Sequence, residues 1–229
     1  MIRRHFLRSV STSSSLLGIG ALLEGCGFQS ASARPAAPSP TPARRGVWDM
    51  SWVARVNRPR RVVFDVTKVS DGDSLWQASS WMEGYAQAEG AGDSDLNAVL
   101  VFRHAAVTMV LEDQMWARLN TKASTTDQKA VGATQRNPYL GDSTPAATSG
   151  GGMGQMTIRR LMARGAIVLA CNNALNGQAF SLKQRENISE TDAQSQIRAS
   201  VAPGVYVMPN GIFSVARAQE AGCALFIPG

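Results

Sequence analysis

From residue 61 onward, short apolar runs alternate with longer segments in which apolar residues recur at helical spacing. The runs carry hydrophobic side chains at consecutive positions, which is typical of strands buried on both faces of a parallel sheet. They lie at residues 62–67, 97–102, 166–170, 204–208 and 223–228. The helical segments lie at residues 74–89, 110–119, 156–164, 189–200 and 212–220. This alternation predicts an α/β fold, a three-layer sandwich with a five-stranded, mainly parallel sheet.

The longest polar stretch is residues 121–154, which contains Pro138, Pro145 and the glycine-rich run 150–154. A loop of that length is uncommon inside a compact domain, so we expect either a functional lid or an excursion toward a neighbouring chain. The glycine run does not match a phosphate-binding loop, because no strand precedes it and no lysine follows the glycines.

Residues 1–33 have the features of a twin-arginine signal peptide. Two adjacent arginines precede a Ser/Thr-rich run and an apolar stretch at 16–23, which is far shorter than the roughly 20 residues that span a bilayer. The small-x-small pattern at 31–33 is a candidate cleavage site. We therefore expect export to the periplasm or another extracytoplasmic compartment, with no membrane span. Lipid attachment at Cys26 is the alternative, and it ranks second because Glu24 fits the lipoprotein motif poorly.

Residues 34–60 are predicted to form a tether and an arm outside the core. The tether, residues 34–47, contains four prolines, which favour an extended and solvated chain. The arm that follows carries Trp48 and Trp52, which we expect to anchor it on the domain or on a neighbouring subunit. Residues 61–229 then form the α/β domain.

The positive charge of the chain lies outside the predicted domain. The net charge is +6 and the isoelectric point is about 9.7. Residues 1–33 carry three arginines against one glutamate, and residues 34–61 carry seven arginines against one aspartate. These segments contribute +2 and +6, so residues 62–229 carry −2. Because a nucleic-acid-binding domain concentrates positive charge on its folded surface, the sequence predicts no nucleic-acid partner.

The candidate chemistry lies at the end of the third predicted strand. Cys171 directly follows the apolar run 166–170 and precedes Asn172 and Asn173, residues that suit a tight exit from the strand. In open α/β sheets, ligands bind beyond the carboxyl ends of the strands, so this thiol lies where a reactive group is expected. Free cysteines are more often small buried hydrophobes, and that alternative stays open.

Two residues at the exit of the second predicted strand, Arg103 and His104, are the candidate binding partners of Cys171, together with Asn172 and Asn173. A cationic side chain or a helix N-terminus beside a thiol favours the thiolate that sulfur transfer requires. For His104, a structural role with a hydrogen-bonded ring is the more common alternative.

The spacing of the remaining residues disfavours other chemistry. Cys171, Cys223 and His104 do not form the close-spaced ligand pairs of a structural metal site, and we expect neither a metal nor a cofactor. No Gly-x-Ser-x-Gly motif occurs, which disfavours hydrolase chemistry. Cys171 ends its strand whereas Cys223 opens the last one, so in a parallel sheet they lie at opposite edges. We predict no disulfide between them.

With these elements in place, residues 62–228 resemble the DsrE/DsrF-like family of small sulfur-handling proteins, which includes the TusD subunit of the tRNA-thiolation sulfur relay. The matching pieces are Gln77 to Ser80, Val101 to His104, Ala170 to Leu175, and residues 204–222 leading into Cys223. The resemblance implies an α/β sandwich that assembles into homo-oligomers. It also implies a persulfide carried at the position of Cys171, with a sulfur donor or acceptor protein, or a small sulfur species, as the partner.

Two functional classes follow from the sequence. In the first, the protein is an exported sulfur carrier that uses Cys171, more a carrier than an enzyme with turnover of its own. In the second, it is a non-catalytic binding or assembly module of the same fold, acting through the arm and the 121–154 loop. The exposure of Cys171 discriminates between them, because a carrier needs its sulfur to face a pocket rather than the core.

Overall fold

The computed structural model of the protein describes residues 48–119, 136–141 and 156–229. The helices of this part are α1 (Trp52–Arg55), α2 (Asp73–Glu89), α3 (Asp113–Leu119), α4 (Ile158–Ala163), α5 (Asn172–Glu186), α6 (Glu190–Ala199) and α7 (Gly211–Glu220). The strands are β1 (Arg60–Val66), β2 (Leu96–Phe102), β3 (Ile167–Cys171), β4 (Tyr206–Met208) and β5 (Ala224–Phe226). The predicted signal peptide, Cys26, the tether 34–47 and most of the 121–154 loop lie outside the described residues. None of the described helices is long and apolar enough to cross a bilayer.

The five described strands form one parallel sheet in the order β4-β3-β2-β1-β5. The chain extends the sheet from β1 to β4 in sequence order and then returns through α7 to place β5 on the other side of β1. Helices pack on both faces of the sheet. The structure therefore confirms the predicted α/β sandwich with its five-stranded sheet, which is parallel throughout.

Side-chain alternation along the strands separates two apolar layers. In β1, β2 and β3, even-numbered residues such as Phe64 and Val168 pack against helices α2 to α6. Odd-numbered residues such as Val63 and Leu169 pack against α1 and α7. We call these two sides of the sheet the α5 face and the α7 face. Consecutive apolar residues are needed in these strands because both faces are covered.

The arm packs on the α7 face of its own sheet. Trp52 in α1 is fully buried, and its indole Nε1 donates a hydrogen bond to Met208 Sδ at 3.2 Å. The arm ends at Asn97 of β2, whose side-chain oxygen accepts from the backbone N–H groups of Asn57 and Arg58 at 3.0 and 2.9 Å. Of the two expected anchoring places, the domain itself is the one observed.

Helix α5 begins at Asn172, directly after Cys171, where the sequence predicted only a tight exit. Its buried residues, Leu175, Ala179 and Leu182, form one narrow stripe at helical spacing on an otherwise polar segment. That stripe is too narrow to predict a helix from the sequence, but its three residues are enough to pack the helix on the α5 face. The consequence is functional, because Cys171 becomes the residue that precedes a helix.

The predicted helix over 110–119 is shorter in the structure. A 3₁₀ helix covers His104–Val110, and the α-helix starts only at Asp113. Between them, Leu111 forms an antiparallel bridge with Val201, which holds the backbone extended at that point.

Candidate functional site

Strands β2, β3 and β4 end in register at the carboxyl edge of the sheet. The register pairs Phe102 of β2 with Ala170 of β3, and Cys171 of β3 with Met208 of β4. Arg103 follows Phe102 and so lies next to Cys171 along the same edge. The predicted pair of Arg103 and Cys171 is therefore brought together, where ligands bind in open α/β sheets.

Cys171 caps the N-terminus of α5. Its Sγ accepts a hydrogen bond from the backbone N–H of Ala174 at 3.4 Å. The residue is 6% exposed, yet among the described residues it joins neither of the two apolar clusters. The backbone N–H groups at a helix N-terminus favour negative charge, so this position suits an anionic sulfur. The thiol is buried where the carboxyl edge of the sheet meets the start of α5, and its low exposure by itself fits the packing alternative. The helix N-terminus and the neighbouring Arg103 are the features that support a reactive role.

Asp65 holds the guanidinium of Arg103 with two hydrogen bonds. Arg103 Nε donates to Asp65 Oδ1 at 2.6 Å and Nη2 donates to Oδ2 at 2.7 Å. Both side chains are mostly buried, at 22% and 12% exposure. The hydrogen bonds that Arg103 donates to Asp65 raise the pKa of Arg103, burial opposes the rise, and electrostatic interaction with Cys171 adds to it. The site therefore combines a fixed cation with a neighbouring thiol.

His104 lies against the guanidinium of Arg103. Arg103 Nη1 lies 2.5 Å from His104 Nε2. Because a guanidinium only donates, Nε2 accepts and the proton of the neutral ring is on Nδ1. The backbone of His104 has a φ of 51°, a left-handed conformation that is costly for a residue with a side chain. The ring is exposed, which fits the structural alternative for this histidine.

Gly211, the first residue of α7, brings that helix against the stem of Arg103. A Cβ placed on Gly211 would lie 2.6 Å from Arg103 Cδ and 2.9 Å from Arg103 Cβ, closer than real contacts allow. Only glycine permits this approach. The start of α7 therefore lies against the stem of Arg103, while Asp65 and His104 hold its guanidinium.

The two asparagines after Cys171 occupy the first turn of α5 and differ in their surroundings. The Oδ1 atom of Asn172 accepts a hydrogen bond from Arg198 of α6. The guanidinium of Arg198 in turn lies over the ring of Trp48, 5.7 Å from its centroid. Asn173 is exposed to solvent. Asn172 is thus fixed by the protein, whereas Asn173 is open to a ligand.

Three residues of this site were not anticipated from the sequence: Asp65, Gly211 and Arg198. Asp65 did leave a signal, because it interrupts an apolar strand and a buried carboxylate requires a partner. Gly211 and Arg198 left none, since their roles depend on contacts with residues distant in the chain.

Cys223 lies at the other end of the sheet. It directly precedes β5, is 6% exposed and belongs to the apolar cluster of the α7 face. Burial raises the pKa of its thiol to about 11, and the charge of Arg61 opposes that shift. Both thiols are free, as predicted. Two strands, β2 and β1, separate β3 from β5, so lateral distance adds to the opposite edges in preventing a disulfide.

Within residues 48–119, 136–141 and 156–229, no group of three or more His, Cys, Asp or Glu side chains is arranged to hold a metal ion.

No family model matches the chain, and no curated protein matches it. A solved structure with a similar chain path is the protein of unknown function MTH1491 from Methanobacterium thermoautotrophicum, at 16% sequence identity and a TM-score of 0.39. The match covers 74% of this chain and 99% of that one.

Proposed function

We propose that the protein is an exported sulfur carrier of the DsrE-like type, in which Cys171 holds a sulfur atom as a persulfide. The observation that carries the proposal is the position of Cys171, which caps α5 beside Arg103 at the carboxyl edge of the sheet. A thiol that only fills space in the core would not require an ion pair beside it, whereas Cys171 has the Asp65–Arg103 pair as its neighbour.

The proposed transfer needs no external oxidant or reductant. The Cys171 thiolate attacks the outer sulfur of a donor persulfide, the new S–S bond forms, and the donor leaves as a thiolate. In the second step an acceptor thiolate attacks the outer sulfur on Cys171, and the Cys171 thiolate is released. Each step exchanges one S–S bond for another, so atoms and electrons balance.

The neighbouring residues have separate roles in this proposal. Arg103 supplies positive charge for the thiolate and the persulfide, both of which are anionic. Asp65 and His104 hold Arg103 in place through contacts with all three nitrogens of its guanidinium. Asn172 and Asn173, in the first turn of α5, provide polar groups beside the transferred sulfur.

The proposed compartment and partners come from the sequence. A twin-arginine leader sends the chain to the periplasm or another extracytoplasmic compartment, away from tRNA. The partner is therefore a sulfur donor or acceptor protein, or a small sulfur species, of that compartment. The resemblance to DsrE-like proteins favours a homo-oligomer.

Intact-mass measurement of the purified protein after treatment with inorganic polysulfide tests the proposal. We expect an added mass of one sulfur atom that reducing agent removes, and peptide mapping should assign it to Cys171. Mapping of the sulfur to Cys223, or a native protein that takes up no sulfur, would contradict a carrier role. The same spectrum reports the mature N-terminus and any lipid on Cys26 when the protein is prepared from an exporting cell.

A binding or assembly module is the second candidate, and the open edge of the sheet favours it. Strand β5 is exposed along its length, and Leu225, Phe226 and Ile227 are 44%, 42% and 65% exposed. A strand edge without charged residues is a surface on which another chain can pair. Analytical ultracentrifugation tests this candidate, because Phe226→Lys should dissociate an assembly built on β5.

A further inference from the structure

The arm reaches two direct neighbours of Cys171, one of them by direct contact and the other through Arg198. Trp48 lies under the guanidinium of Arg198, and Arg198 donates to the side chain of Asn172. Trp52 donates to Met208, the residue paired with Cys171 across the β3–β4 register. The arm therefore reaches the Cys171 site by two separate routes.

The contact between Trp48 and Arg198 gives a long exposed side chain one orientation. A free arginine on a helix surface samples many rotamers. A guanidinium over an indole ring is held by the attraction of the cation to the aromatic face, and its planar donors stay available for hydrogen bonds. Arg198 uses one of them on Asn172 Oδ1.

This hydrogen bond decides what Asn172 offers at the N-terminus of α5. With Oδ1 engaged, the amide nitrogen and its two N–H donors are the remaining polar group of the side chain. The guanidinium of Arg198 is also held at Asn172, the residue that follows Cys171 in the chain. Both effects favour an anionic sulfur at this end of the helix.

We infer that Arg198 is a positioning residue for the Cys171 site and that Trp48 of the arm holds it in place. This inference rests on the proposed sulfur-carrier function. It makes the arm part of the site, so that the reactivity of the thiol depends on arm residues that do not touch the sulfur.

Arg103 is another charged group beside Cys171, and it is held by Asp65 of β1 and by His104. Tyr206 lies in β4, two positions before the residue that pairs with Cys171. We expect all four groups to be unchanged by substitutions at Trp48 or Arg198, so that they form a constant background in the test.

Arg55 and Tyr206 provide a matched control on the same arm. Arg55 lies 6.0 Å from the Tyr206 ring centroid and donates to the Tyr206 hydroxyl at 3.1 Å. Tyr206 pairs with Leu169, two residues before the thiol. This contact has the same chemistry as the Trp48–Arg198 contact, but it does not reach Asn172.

The test is the rate of Cys171 alkylation by iodoacetamide as a function of pH, followed by peptide mass spectrometry on the full chain. We expect Arg198→Met and Trp48→Ala to slow alkylation at pH 7 by about two- to fivefold and to shift the profile to higher pH. Trp48→Phe, which keeps an aromatic face, should restore most of the rate. Arg55→Met should match the wild type. Wild-type profiles for both Arg198→Met and Trp48→Ala would overturn the inference.

A second measurement does not depend on access to the thiol. In the nitrogen-15 spectrum, the side-chain amide of Asn172 should be rigid in the wild type and in Arg55→Met, and mobile in Arg198→Met. Unchanged mobility in Arg198→Met would overturn the inference even if no variant is alkylated. Failure of the carrier proposal has a different signature, since Cys171 would then be alkylated in the expected order of variants but would take up no sulfur from polysulfide.

Discussion

Cys171 and Cys223 are exposed to the same small extent, 6% each, yet their surroundings are opposite. Cys171 ends a strand, caps a helix and has the Asp65–Arg103 pair beside it. Cys223 precedes a strand at the other edge of the sheet and lies among apolar residues that raise its thiol pKa to about 11. The exposed area of a thiol therefore does not decide its chemistry. Its chemistry depends on the edge of the sheet where the thiol lies and on the groups beside it there.

Substituting each of the two cysteines in turn gives the largest expected difference, which is in sulfur uptake. Cys171→Ser should lose all polysulfide-derived sulfur, whereas Cys223→Ala should load like the wild type. The stability of Cys171→Ser should stay within about 0.5 kcal/mol of the wild type, because serine is a favoured N-cap and can accept from the Ala174 N–H. Intact mass and urea denaturation measure the two properties. A loss of several kcal/mol in Cys171→Ser would assign the thiol to the core instead.

Removing the cation should produce the next largest effect. Arg103→Met should slow alkylation of Cys171 at pH 7 by about tenfold, since a nearby positive charge favours the thiolate that reacts. Arg103→Lys keeps the charge but not the two-point contact with Asp65, so its rate should be intermediate. Equal pH–rate profiles for wild type and Arg103→Met would contradict a role of Arg103 in the reactivity of Cys171. A small-molecule thiol added to each sample serves as the internal reference.

The same replacement should act differently on stability at the two positions. Cys223→Ser places a hydroxyl in an apolar cluster and should lower the free energy of unfolding by about 1–3 kcal/mol. Cys223→Ala, which adds no polar group, separates this cost from the loss of volume. Urea denaturation curves of both variants and of Cys171→Ser make the comparison. Equal free energies of unfolding for Cys171→Ser and Cys223→Ser would contradict the predicted difference between the two sites.

Alkaline pH should reveal Cys223 by a smaller effect. Its folded-state pKa of about 11 lies above the ordinary value of 9.0. The unfolded chain therefore loses this proton first, and the stabilising contribution is complete below pH 9 and declines as the pH rises toward 11. Cys223→Ala should show a shallower decline of unfolding free energy over that interval. Parallel curves for the two proteins would mean that the buried thiol titrates normally.

The strands were predictable from the sequence because burial on both faces requires consecutive apolar residues, as in Val62, Val63 and Phe64. The position of Cys171 at the carboxyl edge followed from the same pattern. Helix α5 was not predictable, because three apolar residues in one stripe barely distinguish it from a polar loop. The contacts of Arg198 were equally hidden, since they join residues 48, 172 and 198 only after folding.

The site residues divide along the same line. Arg103 and His104 could be proposed because they follow a predicted strand. Asp65, which fixes Arg103, could have been proposed from its place in an apolar run, because a carboxylate there demands a cation. The approach of Gly211 could not, because a glycine at the start of a helix shows its purpose only when the neighbouring side chain is known.

The path of the chain through the sheet also sets the order in which the fold can be completed. Val62 pairs with Ala224, so these two partners in adjacent strands lie 162 positions apart in the chain. Such pairing closes a very long loop, and the entropy lost on closing that loop makes the pairing a late step of folding. A nascent chain can assemble β1 to β4 progressively, but it can add β5 only after residue 226 has emerged. The edge of β1 therefore stays open to other chains until β5 is in place.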